Sequence, residues 1–228
     1  MQKELLIYQA VIVKTENKKL ILVGGGGHCK SVIDIAENAG YSIIGILDVP
    51  ENVGQKVLNV PIIGTDDRIS EFVNQADFIV TVGQISDVTL RIKLHKMISD
   101  AGAKLATLIA STAYVSKHAT IGEGTVIMHK AFVNADAKIG KGCIINTFAN
   151  IEHDAVIGDY CHISTGAMVN GNCVVGKETF LGSQSVMVNG IEIAENCVVG
   201  AGSLVRKNLR ISGVYSGNPA IIKIKFKK

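Results

Sequence analysis

From Ile109 to Ile211, every sixth residue of this 228-residue chain is a medium or large aliphatic. Ile109, Val115, Ile121, Ile127, Val133, Ile139, Ile145, Ile151, Ile157, Ile163, Val169, Val175, Leu181, Met187, Ile193, Val199, Val205 and Ile211 keep that register without an insertion or deletion. A helix repeats its buried face every ~3.6 residues and a strand every 2, so a strict period of six demands a solenoid of short strands and turns. Counting the aliphatic as the first place of each hexad, the fifth place is small from Ala113 to Ser203, with Ile191 the exception. A tight corner admits a small side chain, while the aliphatics stack inside. Gly and Asn fall beside them (Gly122, Gly140, Gly176, Asn134, Asn150, Asn172, Asn196), where the turns are expected to need positive φ.

Before the repeat the periodicity changes. Leu20–Val23 reads as a buried strand, Gly24–Gly27 as a turn, and Ser31–Ala39 as a helix stopped near Gly40. A strand at Ile43–Leu47 ends in Asp48. A strand at Val60–Ile63, a helix at Asp66–Asn74, a strand at Phe78–Val82 and a helix at Val88–Ala101 complete the order. That alternation predicts a small, mostly parallel α/β sheet of Rossmann-like type over residues 18–107, followed by the solenoid over 108–228. Residues 1–17 form an extension in which LLIYQAVIV suits either an added strand or a helix.

The loop GGGGHCKS sits where such sheets bind ligands, at the carboxyl end of the first strand and the start of a helix. It is not the dinucleotide fingerprint, because the third glycine would fall at Cys29 or Lys30. Asp48 stands where a ribose-binding acid would. Composition narrows the field further: a net charge of +3 argues against nucleic acid or an anionic membrane as partner, and no apolar run or leader pattern argues for one either. The expected location is cytoplasmic. Cys143, Cys161, Cys173 and Cys197 occupy the small corner place, so they read as buried small residues rather than disulfides or metal ligands.

The hexad pattern resembles the left-handed parallel β-helix of the hexapeptide acyltransferases, in which three hexads make one eighteen-residue coil; between five and six coils are expected. The Gly-His loop, the KSVIDIAENAGY stretch, ILD and NVGQKVLNVPIIGTDD resemble the N-terminal domain of sugar acetyltransferases that modify nucleotide-linked amino sugars. Sialic acid O-acetyltransferases share that layout. The resemblance implies that Gly26, Gly27, His28, Asp48 and Gly64 bind the acceptor sugar or nucleotide sugar, and that acetyl-CoA is the acyl donor with no metal required. Where the family has an Asp-Asp pair, this chain has Asp48-Val49, so either nucleotide recognition is altered or the acceptor is not a nucleotide sugar.

Among the histidines, His153 stands apart because IEHDAV flanks it with Glu152 and Asp154. An imidazole beside a carboxylate is a competent general base near neutral pH. The resemblance points to the same residue as base, with Asp154 orienting it, and to His162 as a donor to the thioester oxygen of acetyl-CoA. It also places the pantetheine arm near Gly171, Ser183 and Ala201, and the CoA phosphates near Arg206 and Lys207. Nine residues separate His153 from His162, too far around one coil for both to reach one acetyl group. Their meeting therefore requires a subunit interface, as in the homotrimers of the family. His95 and His118 are expected to face solvent and His129 to line the cleft. A trimeric zinc hydrase using His129, His153 and His162, and a non-catalytic sugar-binding trimer, are the competing readings.

Overall fold

The computed structural model describes residues 18–226, and the sequence extension at 1–17 lies outside them. The first unit is a five-stranded sheet in the order β3-β4-β2-β1-β5. It is built from β1 (Lys19–Val23), β2 (Ser42–Leu47), β3 (Lys56–Val57), β4 (Val60–Gly64) and β5 (Asp77–Val80). All pairings are parallel except the β3–β4 hairpin. Helix α1 (Gly27–Asn38) covers one face with Cys29, Val32, Ile33, Ile35 and Ala36. On the other face lie α2 (Ile69–Phe72) and α3 (Thr89–Asp100), where Leu94 and Ile98 meet Ile21, Phe78 and Val80. Two boundaries differ from expectation. α1 begins at Gly27, so Gly27 to Lys30 are helical ahead of the expected start at Ser31, because Gly26 turns the chain in an extended conformation one residue before it. The helix expected over 66–74 is a 3-10 turn followed by the single turn of α2.

The second unit is a left-handed parallel β-helix whose two-residue strands recur every eighteen residues on three faces. One face stacks Leu108, Val126, Ile144, His162, Phe180 and Val198 in register. The second face stacks Tyr114, Phe132, Asn150, Met168, Val186 and Leu204, and the third Thr120, Lys138, Val156, Val174 and Glu192. The periodic aliphatics from Ile127 to Val205 point inward and are essentially inaccessible, as are the corner residues Ala131, Ala137, Cys143, Ala149 and Cys161. The cysteines are free and buried, as the corner pattern predicts. Each buried aliphatic of this size contributes roughly 1.5–3 kcal/mol, so the inner column is the main store of stability in this half.

The glycines do a different job from the one expected of them. At the second place of the hexad a Cβ would collide with the next coil: at Gly122 it would lie 2.5 Å from the Gly140 carbonyl carbon, and at Gly158 2.5 Å from the Lys177 nitrogen. Positive φ falls two residues later, at the fourth place, and much of it is borne by other residues, including Lys130, Phe148, Asp154, Tyr160 and Glu178. Of the four asparagines expected in that conformation, Asn172 and Asn196 adopt it and Asn134 and Asn150 do not. The second-place glycines therefore answer to close backbone packing, and positive φ falls to fourth-place residues such as Gly124 and Gly142.

The two units share a core. Leu108, Ala110, Val126 and Met128 of the β-helix join Leu20, Val32, Ile35, Ile46 and Ile62 in one apolar cluster, so α1 is sandwiched between its own sheet and the first face of the prism. The chain closes with an antiparallel hairpin, Gly213–Ser216 against Ile221–Lys225, which ends the eight-stranded face.

Gly182→Ala would set a Cβ 2.5 Å from the Ala201 nitrogen, whereas nothing lies within 4 Å of a Cβ at Gly26. The first substitution is expected to cost about 1–3 kcal/mol and the second under about 1 kcal/mol. Urea midpoints of the two variants measure the difference; equal midpoints would contradict the packing account.

Candidate active site

His153 lies on the corner between the second and third faces, just after the strand Asn150–Ile151. Alternation along a strand would separate it from its neighbour, but Asp154 has φ +61° and swings back. Its Oδ2 meets His153 Nδ1 at 2.7 Å, both side chains remaining more than half exposed. That contact fixes Nδ1 as the protonated nitrogen and leaves Nε2 as the lone-pair atom, with no hydrogen-bond partner among the described residues. Gly171 stands one coil further along the same corner, where a Cβ would lie 2.7 Å from His153 Cε1 and Nε2. Only glycine leaves the ring room to keep its position. Glu152 turns the other way, accepting from Asn134 Nδ2 at 2.7 Å and Asn150 Nδ2 at 3.0 Å, and these amides hold its carboxyl below the usual range.

A second group of residues gathers at the seam between the units. Gly25, Gly26 and Gly27 lead into α1, and Asp48 follows β2 beside them: a Cβ at Gly25 would lie 2.6 Å from Asp48 Oδ2. The Asp48 backbone donates to Gly64 O at 3.0 Å, and its Oδ2 accepts from Asn52 Nδ2 at 2.8 Å. Val49, at the departure from the family pair, is exposed. His28 packs beside Gly83, and its Nε2 is buried without a partner. Burial first, then the charge of Arg91, pushes its pKa down to about 3, so the ring is neutral.

His162 belongs to this seam, on the first face of the prism, opposite the His153 corner. Its Nδ1–H donates to the Gln84 carbonyl at 2.8 Å and its Nε2 accepts from Asn146 Nδ2 at 3.0 Å, while Phe180 meets it edge-on. Asn146 Oδ1 accepts from the Thr147 amide at 2.7 Å, which orients the amide group. Burial pushes the His162 pKa down to about 4. The ring's one N–H is thus directed at the Gln84 carbonyl within the chain. Ser183 and Ala201 lie on the corner that follows this face, and Ser183 Oγ meets Ser164 Oγ at 3.0 Å. One chain therefore carries two separate groups of these residues: His153, Asp154 and Gly171 on one corner, and His28, Asp48, Asn146 and His162 at the seam, with Ser183 and Ala201 at the adjoining corner.

The other histidines also depart from expectation. His95 is 2% exposed, wedged where Gly124 and Gly142 leave space and edge-on to Tyr160 at 5.3 Å. His129 bridges the units, with Nε2 at 2.8 Å from Asp34 of α1 and Nδ1 at 2.8 Å from Thr112. His118 is exposed, as expected. With His129 and His162 committed at both ring nitrogens, only His153 of the three keeps a ring nitrogen free among the described residues. Among the described residues no helix is long and apolar enough to cross a membrane.

Gln84 and Asn146 carry no signal that sequence reasoning could use. Each is a lone amide whose role depends on a fold contact with His162.

An α/β domain seated on a left-handed β-helix with an acid-backed histidine at one corner defines an acyltransferase of the hexapeptide-repeat class. Residues 19–98 match the PglD N-terminal domain, and 136–171 and 172–207 match the bacterial transferase hexapeptide repeats. The acetyltransferase domain of PglB from Neisseria gonorrhoeae FA1090 is 31% identical over 91% of this chain and 100% of that one, with a TM-score of 0.84, and has also been solved with acetyl coenzyme A. PerB from Caulobacter crescentus, solved with CoA and GDP-perosamine, is 34% identical over 90% of this chain and 97% of that one, with a TM-score of 0.84. WeeI from Acinetobacter baumannii AYE shares the fold at 22% identity, a TM-score of 0.79, and coverage of 91% of this chain and 100% of its own. No curated protein sequence matches this one significantly. The chain belongs to the hexapeptide-repeat sugar acetyltransferase family.

The buried histidines make stability depend on acid. His95, pushed down to about 3 mainly by burial, and His162, at about 4, both sit below the ordinary 6.5. Between pH 6.5 and 4 the unfolded chain takes up protons that the folded chain refuses, so stability present at neutral pH is lost as pH falls. The loss approaches roughly 1.4 kcal/mol per pH unit for each such group. Urea unfolding from pH 7 to about pH 5 should show this decline, shallower in His95→Gln; a flat profile would contradict the assignment.

Proposed function

We propose that this protein transfers the acetyl group of acetyl-CoA to the amino group of a nucleotide-linked 4-amino sugar. The observation that carries the reading is the His153–Asp154 contact at 2.7 Å, which leaves Nε2 free to take a proton. The neutral acceptor amine attacks the thioester carbonyl as His153 Nε2 removes its proton. The C–S bond of the tetrahedral intermediate then breaks, and the imidazolium returns the proton to the CoA sulfur. Asp154 steadies the transient positive charge on the ring. No cysteine is placed as a nucleophile: all five are buried, and burial pushes the thiol of Cys29 up to about 11 and that of Cys143 to about 12. Direct transfer in a ternary complex follows.

The acceptor is held by Gly26, Gly27, His28 and Asp48, with Gly64 bracing Asp48, and His162 walls the site as a neutral ring. Because His153 lies across the prism from that loop, the reacting pair is completed between subunits of a homotrimer. The pantetheine arm runs past Gly171 of one subunit and Ser183 and Ala201 of the next. Residues 18–107 serve as the acceptor domain and 108–228 as the transfer domain. Acetyl-CoA and nucleotide sugars place the enzyme in the cytoplasm.

CoA thiol release with a panel of UDP- and GDP-linked amino sugars and sialic acids tests the reading. An amino sugar nucleotide should be the best acceptor; a preference for a hydroxyl acceptor would overturn N-acetylation. His153→Ala should lower kcat/KM by about 10²–10⁴-fold. Asp154→Asn, which suits the left-handed turn, should lower it by about 10-fold or more without unfolding the coil. Mixed oligomers of His153→Ala with His28→Ala should regain activity that neither variant has alone. Failure to regain it in verified mixed trimers would refute a shared site.

A further inference from the structure

The seam holds a positive charge with no negative partner. Arg91, on α3, is 1% exposed. Its Nη2 donates to the Gly142 carbonyl at 2.7 Å and its Nη1 to the Val82 carbonyl, while Nε is buried with no partner. None of the ion pairs among the described residues involves it. Buried cations are ordinarily paired with an acid, and this one meets only carbonyls, with Nε left over. Burial pulls its pKa down only to about 10, so it remains charged at neutral pH.

The charge lies directly behind the acceptor loop. Val82 packs on Gly24, Gly83 faces His28, and the Thr81 hydroxyl donates to the Gly24 carbonyl. One layer of backbone therefore separates the guanidinium from Gly24–His28, and its field reaches both His28 and His162. At the same place α1, twelve residues long, begins with no capping side chain and no acid in its first turn. Its positive end is as uncompensated as the arginine. His28, in that first turn, adds the buried, unpartnered Nε2. Three independent features thus leave positive potential and a spare polar atom facing one loop.

We propose that Arg91 is a specificity-determining residue that selects acceptors carrying a diphosphate, its buried charge acting with the α1 N-terminus through one backbone layer to hold that diphosphate at Gly24–His28. The inference rests on reading this loop as the acceptor site. It acts through the field, so it favours a nucleoside diphosphate sugar over a free sugar without contributing a contact. At an effective dielectric of ~20, such a charge is worth on the order of tenfold or more in binding.

The test is calorimetric binding of UDP, GDP, uridine and guanosine to the full-length protein, with no transfer step involved. The wild type should bind at least one diphosphate about tenfold or more tighter than its nucleoside. Arg91→Gln, which keeps an N–H for a carbonyl but removes the charge, should lose most of that margin while nucleoside and acetyl-CoA binding stay within about threefold. Arg91→Lys should restore it. An equal loss of nucleoside and diphosphate in Arg91→Gln, or no loss of either, would reduce Arg91 to a clamp between the units and overturn the proposal. Should Arg91→Gln not fold, the wild type still decides: a diphosphate margin below about tenfold overturns it. A protein that acetylates amino sugars yet shows no such margin would refute the role of Arg91 alone, leaving the acetyltransferase reading in place.

Discussion

Each coil of the prism must bring its backbone within hydrogen-bonding distance of the next on three faces at once, and the rest of the molecule is arranged around that ladder. Strands stack ~4.8 Å apart, which leaves no room for a Cβ at Gly122, Gly158 or Gly182. It also forces a left-handed residue into the corners, from Gly124 to Gly202. A structure so closely spaced offers chemistry only two kinds of position, the outward side of a strand and the turn of a corner. His162 takes the first and His153 the second. Asp154 reaches His153 because the ladder imposes positive φ at the residue after it.

This explains what could be read from the sequence and what could not. The period of six is a property of the coil itself, so the fold, the inward aliphatics and the buried corner cysteines were legible residue by residue. The acid beside His153 was legible too, although whether Asp154 could reach the ring depended on a φ angle that no periodicity encodes. The glycines were misjudged because close packing and left-handed turns favour the same residue, and only the neighbouring coil separates the two causes. His95 looked solvent-facing on a helix carrying Lys93, Lys96 and Asp100; docking of α3 onto the prism buried it. The hydrogen bonds that occupy His162 come from Gln84 and Asn146, seventy-eight and sixteen residues away in sequence. Contacts between the two units follow from shape, and no local pattern announces them.

The seam is unusually polar for a surface that also shares an apolar core. His28, Gln84, Arg91 and His95 each keep one buried polar atom without a partner. Leu108, Ala110, Val126 and Met128 supply cohesion a short distance away, joining the apolar cluster beneath α1. The Asp34–His129–Thr112 bridge ties the same helix to the prism from its flank. Cohesion and polarity are thus separated along one interface: the apolar part fixes the N-terminal unit in place, and the polar part holds the unpartnered atoms.

The terminal hairpin bears on how such a prism behaves in a crowded solution. A ladder of parallel coils ending in an open parallel edge would invite another copy to continue it. Here the final strand of the longest face, Ile221–Lys225, runs antiparallel to the one before it and carries Lys223 and Lys225. An incoming coil would meet the wrong chain direction and a row of like charges, both of which disfavour edge-to-edge growth. At this end the longest face of a fold close in form to a fibre carries its own terminator.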